Sequence, residues 1–274
     1  MIQRPIPSTN EMLPVIGLGT WARFDVGSSD KRRSPLREVL TRMSIVGGMM
    51  IDSSPMYGRS ESIIGDLTAN SVAAEKFFYA TKVWTTGEAS GIQQMNESPR
   101  RMRRTVMDLI QVHNLVDWQT HLRTLERWKK EGKVRYTGIT HYKASAHDEL
   151  ERIINAQQID FVQFNYSIRE RNAERRLLAS AHDRGVAVII NEPLEKGSLL
   201  SLVKGKALPP WAAEYDIQSW GEFFLKFIVS HPSVTCVIPA TANPDHMSSN
   251  IRAGSGLLPD EQGRNRMAAF IQSL

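Results

Sequence analysis

The sequence holds one cysteine, Cys236, so no disulfide can form within the chain. Cys236 lies in the apolar run Val234-Thr235-Cys236-Val237-Ile238, which reads as an inert core thiol kept reduced. No apolar run approaches the roughly 20 residues that a membrane span needs. The opening stretch Met1-Ile2-Gln3-Arg4-Pro5-Ile6-Pro7 lacks the apolar segment of an export signal, so a cytoplasmic protein is expected. Linkers and low-complexity tracts are missing as well, which favours one domain spanning 1–274. Basic residues are dense only at Arg100-Arg101-Met102-Arg103-Arg104. No aromatics interleave there to stack bases, so a solvated helix face is expected rather than a nucleic-acid partner. His113, His121, His141 and His147 are not regularly spaced and have no clustered carboxylates near them, so no catalytic metal is expected.

What is present is ordinary globular composition, 41% hydrophobic and 23% charged, over 274 residues. That length suits one α/β barrel of roughly 250 residues. Net charge is +5, a balance that suits an anionic ligand such as a dinucleotide phosphate. Short apolar runs alternate with polar turns and amphipathic stretches, the mark of parallel strands with helical crossovers. The strand candidates are 15–18, 49–52, 77–82, 109–113, 134–139, 161–165, 186–190 and 234–238. They are apolar without alternation, as strands covered on both faces should be.

Helices are expected at 117–130, 144–156, 172–184, 219–230 and 244–253, with an extra one at 259–274. In the first, Trp118, Leu122, Leu125 and Trp128 share a face, Asp117 is placed to cap, and Glu131-Gly132 to end it. Residues 4–7 and 12–15 flank Ser8-Thr9-Asn10-Glu11 as a small β-hairpin, suited to plugging the barrel's N-terminal mouth. The expected fold is therefore a (β/α)₈ TIM barrel with a short N-terminal hairpin and an added C-terminal helix. The pattern favours closure over an open sheet but does not supply it.

A barrel gathers the C-terminal ends of its strands on one face, where active sites are built. Asp52 ends the second expected strand, Lys82 the third and His113 the fourth, and Tyr57 follows in Ser53-Ser54-Pro55-Met56-Tyr57-Gly58. Singly, each has a structural explanation: a turn cap, a strand-end charge, a core histidine, a rim aromatic. An Asp–Lys pair alone would also account for two of them. Together they can do specific chemistry. A phenol of pKa about 10 is a poor acid unless its anion is stabilised. A neighbouring ammonium favours that anion, and a carboxylate behind it holds the ammonium in place. The imidazole of His113 could then orient a carbonyl oxygen.

The surrounding residues resemble the aldo-keto reductase family. Ile51-Asp52-Ser53-Ser54-Pro55-Met56-Tyr57-Gly58-Arg59-Ser60-Glu61 is similar to the family segment carrying the catalytic Asp and Tyr. Phe78-Tyr79-Ala80-Thr81-Lys82-Val83-Trp84 resembles the segment of the catalytic Lys, and Met107-Asp108-Leu109-Ile110-Gln111-Val112-His113 that of the catalytic His. Ile16-Gly17-Leu18-Gly19-Thr20-Trp21 resembles the opening strand, and the likeness runs in order from about residue 4 to residue 253. The resemblance implies reduction of small or medium aldehydes and ketones by NADPH, with NADH also possible. Tyr57 would donate the proton, Lys82 and Asp52 would tune it, and His113 would position the substrate. The cofactor would lie extended across the barrel rim, so the absence of a GxGxxG after a strand is expected.

The cofactor positions that the resemblance implies are Gly19, Thr20, Asp52, Thr140, His141 and Gln163, with Asn191, Glu192, Pro193 and Leu194 after the seventh strand. Thr241, Asn243, His246 and Asn250 would form the phosphate and adenosine clamp at a helix N-terminus. Departures from the family occur at both places. Asn191 stands where a stacking Tyr is usual, and Glu192 and Glu195 bring negative charge toward the expected pyrophosphate, offset in part by Lys196. Ala240 and His246 stand where many relatives place Lys and Arg, so only a modest preference for NADPH is expected. Trp21, Met56, Trp84 and Tyr142 are the candidates for an apolar substrate pocket. With no long insertion expected after the fourth or seventh strand, that pocket should be open. A nucleotide-binding sensor or regulator with little turnover would satisfy many of the same positions. A monomer or weak homo-oligomer is expected.

Overall fold

The structure, a computed structural model, describes residues 1–69 and 72–274. β1 (Gln3–Pro5) and β2 (Met12–Pro14) form the expected antiparallel hairpin, with Gln3 opposite Pro14. Eight parallel strands follow in chain order: β3 (Leu18–Gly19), β4 (Met50–Asp52), β5 (Phe78–Val83), β6 (Met107–His113), β7 (Val134–His141), β8 (Phe161–Asn165), β9 (Ala187–Asn191) and β10 (Cys236–Val237). The first and last close on one another through the backbone. Gly17 N–H donates to Val237 O at 2.8 Å, and Val237 N–H donates to Val15 O at 2.9 Å. At this seam the strands are shorter than the expected 15–18 and 234–238, and an isolated bridge joins Ile16 to Val237. Gly19 lies so near the seam that a Cβ there would meet Ile238 O at 2.8 Å.

Helices α1 (Asp30–Ile45), α2 (Ser60–Thr68), α3 (Glu88–Met102), α4 (Trp118–Lys130) and α5 (His147–Ala156) wrap the first half of the barrel. α6 (Leu177–Asp183), α7 (Ser198–Leu202), α8 (Trp220–Val229), α9 (Pro244–Ala253) and α10 (Glu261–Gln272) complete it. Their apolar faces meet the outside of the sheet: Leu122, Leu125 and Trp128 from α4, and Leu150, Ile153 and Ile154 from α5, are buried. No helix among the described residues is long and apolar enough to cross a membrane. The chain is a (β/α)₈ barrel with an N-terminal hairpin and an added C-terminal helix.

Inside the barrel the two-residue period of a strand sorts side chains into layers. Met50, Phe78, Leu109, Tyr136, Phe161, Ala187 and Cys236 form the floor, joined by Ile6 and Leu13 from the hairpin, which plugs the N-terminal mouth. Thr9 on the hairpin turn bonds the Tyr136 hydroxyl at 2.7 Å. Two and four residues further along the same inward faces the layer turns polar: Asp52, Lys82, Gln111, His113, Thr140, Gln163 and Asn191. Pairing aligns Lys82 with Gln111, His113 with Thr140, and Thr140 with Gln163. Cys236 is buried in the floor, where burial pushes its thiol pKa up, as an inert core thiol requires.

Two expectations are corrected, the cap of α4 and the missing insertion. Asp117 precedes α4 but adopts a left-handed backbone, φ 46°, and does not cap it; its carboxylate accepts from Gly87 N–H at 2.8 Å. The basic run at 100–104 closes α3 with Arg100, Arg101 and Arg103 exposed, the solvated face expected, and surface ion pairs hold it. Arg100 pairs with Glu97, Arg101 with the buried Glu61, Arg103 with Asp66 and Arg104 with Glu75. Finally, an insertion does follow the seventh barrel strand: residues 192–219 between β9 and α8 contain α7 and two short 3₁₀ turns. Apolar residues such as Leu199 and Val203 anchor it, so it folds against the barrel instead of looping free.

Phe161 is fully buried, with its ring 5.9 Å from Phe78 and 5.6 Å from Tyr136. Phe161→Ala should lower unfolding free energy by about 3–5 kcal/mol in urea titrations. Ile45→Ala, at a side chain 76% exposed, should change it by less than about 0.5 kcal/mol. Equal effects would place the core elsewhere.

Candidate active site

The polar layer opens into a cavity of about 1140 Å³ at the C-terminal ends of the strands. At its base lies an ion pair between Lys82 of β5 and Asp52 of β4, whose side chains are 1% and 3% exposed. Lys82 also donates to Ser53 O at 2.8 Å. The second oxygen of Asp52 accepts from Gln111 Nε2 at 3.2 Å and Gln163 Nε2 at 3.1 Å. Both buried charges therefore have hydrogen-bond partners besides each other, the condition under which burial is tolerated. Burial works against the Lys82 ammonium, but the neighbouring Asp52 and Tyr57 outweigh it and hold its pKa above the ordinary value.

Tyr57 stands in the loop after β4 and is half-buried on the cavity wall. The Lys82 ammonium lies 5.3 Å from its ring centroid. Here the expectation of a simply acidified phenol is corrected. Burial pushes the Tyr57 pKa up, Lys82 pulls it back, and Asp52 and Glu192 push it up again; the balance is above the ordinary value. Tyr57 at rest is a protonated phenol beside a cation.

His113 ends β6, its ring edge-on to Tyr57 with centroids 5.8 Å apart. Burial first, then the Lys82 charge, lowers its pKa to about 3, so the imidazole is neutral. Its Nδ1 bonds Ser54 Oγ at 3.1 Å, which fixes the ring. In the tautomer that carries its proton on Nε2, Ser54 donates to Nδ1 and His113 has a proton to donate.

The cavity is lined by Gly19, Thr20, Asp52, Thr140, Gln163, Asn191, Glu192, Pro193, Leu194, Thr241, Asn243, His246 and Asn250, as well as by Tyr57 and His113. Lys82 sits behind this wall. His141 does not line it, because β7 alternates: Thr140 points inward and His141 outward, stacked flat on Tyr142 at 5.5 Å. Glu195 also turns away from the cavity. It is held by Arg169, by Ser167 Oγ at 2.6 Å and by Ser198 Oγ at 3.0 Å, so it adds no charge to the wall. These bonds stabilise a strap in which Glu192, Glu195 and Lys196 have φ of 48°, 47° and 57°, left-handed values that non-glycine residues adopt at some cost. Lys196 pairs with Glu192 at 3.2 Å, and its ammonium lies 5.8 Å from the Trp21 ring centroid and 5.3 Å from that of Tyr142. The insertion thus reaches across the mouth, which is narrower than expected.

Trp21, Met56, Trp84 and Tyr142 all line the cavity, with 52%, 41%, 43% and 38% of their surface exposed. Sequence reasoning missed Gln111, Ser54, Arg23, Asn114, Leu200, Ser219, Trp220 and Ser249. Gln111 could have been found by alternation, two residues before His113, and Ser219 by the Ser-x-x-Glu capping signature with Glu222. Leu200 carries no local signal. No group of three metal-ligating side chains occurs among the described residues.

Comparison with known proteins agrees with this geometry. Residues 15–266 match the model of the Aldo/keto reductase family. An NADH-specific methylglyoxal reductase of Escherichia coli is 27% identical, over 97% of this chain and 92% of that protein. A glyoxal reductase of Bacillus subtilis is 22% identical, over 81% and 77%. Among solved structures, an aldo/keto reductase of Klebsiella pneumoniae in complex with NADP and acetate superposes with a TM-score of 0.79, at 22% identity and 96% and 93% coverage. One from Bacillus halodurans gives 0.78, at 19% identity and 99% and 96% coverage. With the match running through nearly the whole barrel, the chain belongs to the aldo/keto reductase family.

Proposed function

We propose that the chain, acting as one barrel domain over 1–274, reduces small carbonyl compounds with a nicotinamide dinucleotide. The observation that carries this is a protonated Tyr57 phenol on a cavity wall, backed by the Lys82–Asp52 pair and flanked by a neutral His113. The dinucleotide fits the residues present. Asn191 Oδ1 is buried beside the cavity without a hydrogen-bond partner, as an amide acceptor awaiting an amide donor would be. Its Nδ2 donates to Gln163 Oε1 at 3.4 Å, which also accepts from Thr140 Oγ1 at 3.1 Å. Thr140, Gln163 and Asn191 would hold the carboxamide, Gly19, Thr20 and 192–194 the middle, and 241–250 the adenosine end. When bound, the dinucleotide supplies hydride.

The chain's own residues supply the rest. Tyr57 gives its hydroxyl proton to the carbonyl oxygen, Lys82 stabilises the phenolate left behind, and Asp52 holds Lys82 in place. His113 donates from Nε2 to the same oxygen and orients the carbonyl. Trp21, Met56, Trp84 and Tyr142 offer apolar faces to a small substrate. Relatives named for methylglyoxal and glyoxal reduction support that substrate size.

Tyr57→Phe should reduce kcat for methylglyoxal by roughly 10²–10⁴-fold while leaving the dissociation constant of the reduced dinucleotide within about threefold. A binding protein with Tyr57-independent, negligible oxidation would be a sensor instead.

The pH profile follows from the same groups. His113 stays neutral until the pH falls toward about 3. Tyr57 stays protonated until the pH exceeds the ordinary value of 10, since its pKa is raised. Between those limits kcat/KM for reduction should be level, with activity lost above pH 10 as the phenol ionises. Limbs that both fall between about pH 6 and 9 would mean that other groups control the rate.

A further inference from the structure

Two helix starts wall the cavity beyond the strap. Ser219 caps α8 and Ser249 lies on α9, and both line the cavity. Their hydroxyls are joined at 2.9 Å. Behind them Glu222, with no exposed side chain, accepts from Ser249 Oγ at 3.0 Å and from Arg252 at 2.7 and 3.0 Å.

These contacts fix the direction of every proton. An ionised carboxylate only accepts, so the one hydroxyl proton of Ser249 goes to Glu222. Ser219 must then donate to Ser249, and Ser219 itself accepts from Glu222 N–H at 3.2 Å. Both serine protons are committed inward. Toward the cavity the pair presents lone pairs alone, a surface that accepts hydrogen bonds and has none to give.

The nearby cations are committed too. Arg42 binds Asp245 at 2.9 Å, Ser248 Oγ at 2.8 Å and Glu38 at 3.0 Å, and Arg252 binds Glu222. Neither lines the cavity. Arg23 and Lys196, which do, belong to the loops after β3 and β9. Asp245 also places a carboxylate in the first turn of α9.

We propose that Ser219 and Ser249 select a free ribose hydroxyl over a phosphate monoester at this end, so that the chain uses NADH in preference to NADPH. The proposal rests on the dinucleotide reading above. A ribose hydroxyl can donate to the serine lone pairs. A phosphate dianion has acceptor oxygens and two negative charges and would meet acceptors at these serines, while Arg23, a cation that lines the cavity, lies on the loop after β3 and not on α8 or α9. Selection by an unfavourable contact of this kind acts against one ligand without requiring tight binding of the other.

The test is calorimetric titration of the protein with NADH and with NADPH at pH 8, where histidine carries little charge. NADH should bind about tenfold more tightly or better. In Ser249→Ala the hydroxyl of Ser219 loses its acceptor and is free to donate outward, so the NADH:NADPH ratio should fall by about threefold or more. Equal or tighter binding of NADPH by the wild type, or an unchanged ratio in Ser249→Ala, overturns the selection while leaving carbonyl reduction standing. Failure to bind either nucleotide overturns both. Tight NADH binding without Tyr57-dependent turnover supports the selection and removes the reductase assignment.

Discussion

Lys82 and Asp52 are opposite charges placed where water does not reach, and removing each from water costs several kcal/mol. Their mutual attraction offsets that cost only while the remaining hydrogen-bonding capacity is filled. Ser53 O takes up part of it on the ammonium side, and Gln111 and Gln163 take up most of it on the carboxylate side. These partners come from the loop after β4 and from β6 and β8, so barrel closure and register are preconditions for the pair. An apolar floor below it completes the arrangement, since a hydrophobic layer seals the barrel from the N-terminal side.

The pair's effect on Tyr57 is subtler than simple acidification. Burial penalises the phenolate more than Lys82 relieves it, and the Asp52 charge partly cancels the help that Lys82 gives. A proton donor gains from this balance. It is fully protonated before reaction, and the ammonium is already oriented at the charge that appears as the proton leaves. Pre-oriented charge of that kind needs no reorganisation at the moment of reaction. The same ammonium, acting second to burial, also keeps His113 neutral, so burial leads at both neighbours, with Lys82 opposing it at Tyr57 and reinforcing it at His113.

Much of this was legible in the sequence because a strand's two-residue period is written directly into it. Met50 and Asp52, Phe78 and Lys82, and Leu109 and His113 share inward faces, apolar below and polar above. Asp52, Lys82 and His113 were therefore visible at the strand ends, with Tyr57 in the loop that follows Asp52. The same period, applied to β7, also places His141 opposite Thr140, so the error there lay in counting the residue as part of a motif rather than by its face. Asp117 failed differently. It has the right identity and position for a cap, but three left-handed residues, Asn114, Leu115 and Asp117, turn the chain there and aim the carboxylate at Gly87. The insertion at 192–219 was hidden because its helices are too short to show a period, and its course is set by contacts with distant loops. Glu195 illustrates this: its partners Arg169 and Ser167 lie on the loop after β8.

One rule runs through both walls of the cavity: a hydrogen atom already committed inside the protein is withheld from a ligand. Near the strands it works by leaving donors free. Asp52 accepts from Lys82, Gln111 and Gln163, while in the proposed reaction Tyr57 and the Nε2–H tautomer of His113 keep their protons for a substrate oxygen. At Ser219 and Ser249 it works by removing them, since Glu222 accepts from Ser249 and Ser249 in turn accepts from Ser219. A carboxylate buried behind a hydroxyl chain thus gives its surface a polarity that residue identity alone would not disclose, because serine can face a ligand as donor or acceptor. Only the bonds behind it determine which.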